Sequence, residues 1–110
     1  MQSRTPNAVE RAYLELAFQI PCLACALFHD ANDTPAEYHH TRGKTEPNAH
    51  LAGFSLCSRH HRIADPQKRW ISRHGDGKTA FEKRYMSEAD FLTEQRSQIL
   101  ELTERCINGV

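Results

Sequence analysis

Apolar residues recur at helical spacing near both ends of the chain and fall in short runs between them. Ala8, Val9, Ala12, Tyr13, Leu16 and Ala17 form adjacent pairs that recur every four residues, with Pro6 at a first helical position after Thr5, so the spacing predicts an N-terminal helix ending before Pro21. Toward the other end, Phe91, Leu92, Gln95, Ile99, Leu102 and Cys106 line one face of a longer predicted helix, opened by Ser87 and Asp90 at capping-box spacing. Thr79 and Glu82 repeat that spacing ahead of a shorter helix. In the middle, residues 37–40 and 52–56 read as two short strands. The turn formers HDANDTPA precede them, and the polar loop TRGKTEPNAH joins them into a hairpin with a long connection. LCSRHHRIAD then reads as a tight knuckle running into a short helix stopped by Pro66. The expected class is α+β. The chain shows no internal repeat, low-complexity tract or domain boundary, and is expected to form a single domain over residues 1–110. Its central core is expected at about 20–75 and its helical C-terminal part at about 79–107.

A chain of 110 residues, 39% of them hydrophobic, has a core only marginally sufficient on its own, so an additional staple would help. No apolar run approaches the roughly 20 residues of a membrane span, and MQSRTPNAVER lacks the apolar stretch of a signal peptide; a soluble, cytoplasmic protein is expected. In that compartment Cys22, Cys25, Cys57 and Cys106 are expected as thiols, thiolates or metal ligands rather than disulfides.

The formal net charge is zero, but its distribution is uneven. Residues 1–38 carry two basic and five acidic side chains, residues 39–84 ten and four, and residues 85–110 two and five, which puts +6 between two segments of −3. Attraction to phosphate follows local charge, so a neutral total does not exclude a nucleic-acid partner. A merely solvated cationic face gives the same pattern.

Cys22-x-x-Cys25 and Cys57-x-x-His60 are two pairs whose two-residue gap lets one backbone turn aim both side chains at a tetrahedral ion. A Cys3His structural zinc is the natural combination, and its binding free energy would enter directly into folding. The competing reading is that these are buried apolar thiols, and His61 could replace His60 as fourth ligand. Cys106, alone at the end of an amphipathic helix, reads as core. The half-sites are separated by 31 residues, 26–56, far beyond the roughly 12–15 of a Cys2His2 finger. The zinc would therefore clamp the base of a module that carries something else.

That something else includes AEYHHTRG, where His39 and His40 are adjacent. Neighbours in a regular strand point to opposite faces, so the two could share a site only at a strand end or bulge. An imidazole near neutrality can ligate a metal or take a proton from water, and phosphodiester hydrolysis needs both. Six of the seven histidines (His39, His40, His50, His60, His61, His74) lie between positions 39 and 74, among basic side chains. A metal centre in a phosphate-attracting surface accounts for that clustering.

IPCLAC, AEYHHTRG and LCSRHHR in this order resemble the HNH endonucleases, whose core is the ββα-metal fold. With ISRHG and FEKRYMSEADFL added, the run over roughly residues 20–100 is similar to the recombination enhancement function (Ref) nucleases of phages and prophages. The resemblance implies a structural zinc on Cys22, Cys25, Cys57 and His60. It implies His39 and His61 as ligands of a catalytic divalent ion, magnesium or manganese in use, and His40 as the general base. It also implies a metal-dependent DNA endonuclease in phage-type recombination, encoded by phage or prophage and acting in the cytoplasm of a bacterial host. Its substrate would be recombinase-coated single strands or displacement loops. Three positions depart from the HNH pattern. His39 stands where aspartate is frequent, which could favour a transition metal over magnesium. His60 replaces a fourth cysteine. The mid-motif asparagine has no clear counterpart, with Asn48 and His50 as alternatives. His74 matches a histidine of the Ref-like set that could ligate, contact phosphate or pack.

A second class of function fits the same residues: a non-catalytic, zinc-stabilised nucleic-acid-binding module in which Arg42, Lys44, Arg59, Arg62, Lys68, Arg69 and Arg73 contact phosphate. A third is an adaptor that pairs through Phe91, Leu92 and Ile99, the same residues a core stripe would use. Trp70 has two readings as well, a base-stacking platform among Lys68, Arg69 and Arg73 or a partly buried core residue.

Overall fold

The computed structural model describes residues 5–41 and 49–107, with side chains through 105. Arg42, Lys44 and Asn48 lie outside the described residues, as does the Cys106 side chain. The first helix, α1 (Ala8–Ala17), begins two residues later than Pro6 predicts. Asn7 is its N-cap, and a capping box with Glu10 closes the end: the Glu10 amide donates to Asn7 Oδ1 at 2.8 Å and the Asn7 amide to Glu10 Oε1 at 3.0 Å. That reciprocal pair satisfies two amides that would otherwise be left without partners, which Pro6 cannot do. CLAC itself starts a helix that the apolar pattern does not announce, α2 (Leu23–Phe28), with the Cys22 sulfur accepting from the Cys25 amide.

The predicted hairpin is present. β1 (Glu37–His40) pairs antiparallel with β2 (Gly53–Leu56) in the register Glu37↔Leu56, Tyr38↔Ser55, His39↔Phe54 and His40↔Gly53. A 3-10 turn, Ala49–Leu51, leads into β2, and Cys57 caps α3 (Ser58–His61), completing the ββα order. α3 ends at His61, before Pro66 is reached; the following loop instead folds back on Asp65, whose buried carboxylate accepts from the amides of Gln67 and Arg69 and from Arg69 Nε. The Arg69 guanidinium, with these amides, holds that carboxyl at about 2.

α4 (Lys78–Arg84) contains Thr79 rather than starting at it, and Gly77 occupies its N-cap. Glu82 caps the next helix: its Oε2 accepts from the Glu88 amide at 2.7 Å. Ser87 caps α5 (Glu88–Ile107) as the spacing predicts, accepting from the Asp90 amide at 3.1 Å.

The core is where α5 lies across the hairpin. Phe54 of β2 stacks on Phe91 of α5 with ring centroids 4.7 Å apart, and Phe81 packs against Phe91 at 5.4 Å. Phe91 and Ile99 are buried here, so their stripe is core and not a surface for pairing. Gln95, fully buried, accepts from the Ser55 amide at 3.1 Å and donates to Ser55 Oγ at 2.9 Å, which satisfies an amide at the β2 edge that no third strand covers among the described residues. Gly53 is required by close approach: a Cβ there would lie 2.5 Å from the His39 carbonyl oxygen and 2.6 Å from the Tyr38 ring. Among the described residues, no helix is long and apolar enough to cross a membrane.

Candidate active site and metal centres

The two knuckles converge. Cys22 and Cys25 come from the start of α2, Cys57 and His60 from the start and third position of α3, and their donor atoms lie within 4.8 Å of one another. His60 Nδ1 is 3.2 Å from Cys57 Sγ, 3.5 Å from Cys25 Sγ and 3.7 Å from Cys22 Sγ, while the Cys25 and Cys57 sulfurs are 3.8 Å apart. Ligands at zinc bond lengths and tetrahedral angles are separated by about 3.5–3.8 Å, so these spacings fit the edges of such a site. The Cys3His cluster could hold a metal ion such as zinc. Cys22, followed by His60, draws the Cys57 thiol below its ordinary value, and the same pairing and then burial push Cys22 up. The far nitrogen of His60, Nε2, lies 3.1 Å from the Tyr85 hydroxyl, and that oxygen accepts from the Ile71 amide, also at 3.1 Å. The ring is thereby fixed with Nδ1 toward the sulfurs.

A second cluster stands on the other side of α3. His39, His61 and His74 bring one nitrogen each within 4.8 Å of one another, with ring centroids 4.9–5.3 Å apart. His39 is buried in β1, His61 is partly covered and His74 is exposed. His74 arrives through the backbone: the loop returns beside α3, where the Arg73 amide donates to the His60 carbonyl at 2.7 Å and the His74 amide to the His61 carbonyl at 2.9 Å. Burial, then His61 and Arg73, hold the His74 imidazole below its ordinary value, which keeps a lone pair available at neutral pH.

Two carboxylates that the sequence did not single out orient this cluster. Glu88, the first residue of α5, sits 2.8 Å from His39 Nε2 and also accepts from Arg73 Nε at 2.8 Å. Burial opposes its charge, but His39 and Arg73 outweigh that and hold the carboxyl at about 2. Glu37 lies 2.8 Å from His61 Nδ1, and Arg62, then His61, hold its carboxyl below the ordinary range. A neutral histidine that donates one N–H to a carboxylate carries its lone pair on the other nitrogen. In that form the lone pair of His39 is on Nδ1 and that of His61 on Nε2.

His40 is not among these rings. β1 runs into His40 without a bulge, and the His40 ring lies against Tyr38 and His50, with His40 Nε2 3.1 Å from His50 Nδ1. The Tyr38 hydroxyl donates to the His50 carbonyl at 3.0 Å and so anchors the buried partner. The adjacent histidines thus belong to two different groups of rings, joined through consecutive residues of one strand.

The cationic candidates are unequally disposed. Arg62 pairs with Glu37, Lys68 with Asp76, Arg69 with Asp65, and Arg73 with Glu88. Arg73 is largely covered and works inward, whereas Arg62, Lys68 and Arg69 keep exposed side chains. Arg59 is exposed and has no carboxylate partner among the described residues. Trp70 is half-buried, with its Nε1 donating to the Ile63 carbonyl at 2.8 Å.

A cysteine-rich knuckle pair on a ββα unit is the arrangement the motif order predicts, whereas the imidazole group differs from the expected one: His74, and not His40, joins His39 and His61. A family model described as recombination enhancement, RecA-dependent nuclease matches residues 6–100. The chain belongs to that family. The match covers both clusters, both supporting carboxylates and the hairpin, so the family's description as a nuclease acting in recombination applies to the part of the chain in which these side chains meet. A nuclease has DNA or another nucleic acid as substrate, and RecA-coated strands fit the family's description.

Proposed function

We propose that this protein is a metal-dependent DNA endonuclease hydrolysing phosphodiester bonds, in which His39 and His61, joined by His74, hold a catalytic divalent ion and His40 is the general base. The observation that carries the reading is the His39/His61/His74 cluster with a carboxylate fixed behind each of its first two rings. Three neutral imidazoles suit manganese or another transition metal at least as well as magnesium. When bound, the ion supplies Lewis-acid stabilisation of the charge that builds on the pentacovalent phosphate and on the departing oxygen.

The protein's own groups divide the remaining work. His40 takes a proton from the attacking water, whose oxygen forms the new bond to phosphorus as the bond to the leaving 3′ oxygen breaks; that oxygen takes a proton from a solvent water to become the 3′ hydroxyl, and His40 returns its own proton to solvent. His50, against His40 Nε2, holds the base in orientation. Glu88 and Glu37 hold His39 and His61 in the tautomers that present lone pairs. A Zn2+ ion on Cys22, Cys25, Cys57 and His60 staples the fold. Arg59, with Arg42 and Lys44 of the β1–β2 connection, and the outward-facing Arg62, Lys68 and Arg69 meet DNA phosphates. RecA-coated single strands or displacement loops in phage-type recombination are the substrates this reading favours.

The test compares wild type with His40→Ala, both folded and zinc-loaded, on plasmid DNA and on single strands with and without RecA, in magnesium or manganese. Wild type should cut, and the variant should bind as tightly while cutting roughly 10²–10⁴-fold more slowly. Binding by both with cutting by neither would leave a zinc-stapled DNA-binding module.

A further inference from the structure

A cavity of about 680 Å³ opens onto the Cys3His cluster, with Cys25, Cys57 and His60 at its inner wall and Arg59, Arg69 and Trp70 toward its mouth. None of the residues around it is assigned a catalytic part above, and His61 is not in its lining. Its size lies within the range of small-ligand sites, which have mostly apolar walls and a few placed polar groups.

Its chemistry is selective. The guanidinium carbons of Arg59 and Arg69 stand 4.9 and 5.4 Å from the Trp70 ring centroid, so indole and guanidinium groups form one contiguous wall. Trp70 is fixed through Nε1 to the Ile63 carbonyl, and Arg69 through Asp65, so two of the three members are held in place before anything binds. Arg59 is different. It has no carboxylate partner among the described residues, and no carboxylate is found among the described lining residues, so its charge is uncompensated where the cavity opens.

A ligand suited to this wall is flat and aromatic, to stack on indole and guanidinium planes, and carries a negative charge within reach of Arg59. A simple anion would leave the aromatic wall unused, and an apolar peptide would bury the Arg59 charge without a partner. A nucleobase with its phosphate satisfies both demands. In a duplex the bases are stacked inside and cannot enter a cavity, whereas a single strand offers them one by one. We propose that this cavity receives an unstacked nucleobase of a DNA single strand, with the adjoining phosphate on Arg59. The inference rests on the reading of the chain as a DNA-acting protein and adds a strand-holding site separate from the imidazole cluster.

Trp70 is the chain's single tryptophan, so its fluorescence reports on this wall alone. Zinc-loaded wild type and Arg59→Ala are titrated, without added magnesium or manganese, with a single-stranded oligodeoxynucleotide, the matching duplex, the mononucleotide and inorganic phosphate. Total binding is followed in parallel by anisotropy of labelled DNA. The single strand should quench Trp70 saturably, the duplex should not, and the midpoint should shift roughly tenfold in Arg59→Ala. Arg59→Lys, which keeps the charge, should recover part of that shift and guards against a misfolded alanine variant. Strand binding by anisotropy with unchanged Trp70 emission would overturn the proposal. So would quenching indifferent to Arg59, or quenching by the mononucleotide or phosphate at the concentration that suffices for the strand. Because the titration involves no cutting, its failure leaves the nuclease reading to be judged by His40→Ala alone.

Discussion

His60 and His61 are neighbours on α3, yet they serve clusters built on opposite principles. His60 turns toward three cysteines in a buried pocket, where the donors are soft, close-spaced and shielded from water. His61 turns toward two further imidazoles in a cluster graded from buried His39 to exposed His74, with a carboxylate behind two of the rings. A closed set of four protein ligands suits a metal that holds a fold together, while three ligands with an open side leave positions for water and phosphate. One turn of helix therefore joins the two clusters, with His60 in one and His61 in the other.

Cys57→Ala, or chelation of the Cys3His metal, should remove binding energy on the order of 10 kcal/mol and unfold the domain, seen as lost helical circular dichroism together with lost zinc. A variant that loses zinc but keeps its thermal transition would show that the cluster is a set of ordinary core thiols. Next, His61→Ala should keep the fold and the zinc but lose metal-dependent cutting by roughly 10²-fold or more. Glu88→Gln should then weaken manganese binding roughly ten- to hundredfold, measured by titration, because it loosens His39 without removing a ligand. Smallest of all, Arg62→Ala should change stability by less than about 1 kcal/mol in urea unfolding, since its pair with Glu37 is solvent-exposed on both sides.

The two clusters also differed in how much could be read from sequence. The cysteine cluster rests on two gaps of two residues, so each half is a local feature of the chain, and only the convergence of the halves is tertiary. His39 and His61 came from motifs of the same short kind. Glu88 could not, because it reaches His39 across 49 positions and carries no local mark beyond its place at a helix start. Glu37 was in plain view beside the histidine pair, but its partner is His61, 24 positions away. His74 stands out in the sequence, but its place beside His61 comes from backbone pairing of residues 73 and 74 with α3. The capping signals show the same limit. Ser87 works as its spacing says, whereas Glu82 has the right spacing from Thr79 and caps a different helix, since the tertiary turn brings the Glu88 amide within 2.7 Å.

The division of labour between the clusters is tested most directly by metal content and cutting measured on one sample of His61→Ala. His61→Ala should carry about one zinc per chain, as wild type should, with manganese-dependent cleavage of DNA lost. Cleavage at the wild-type rate, or zinc lost along with it, would contradict the assignment of His60 and His61 to separate metals.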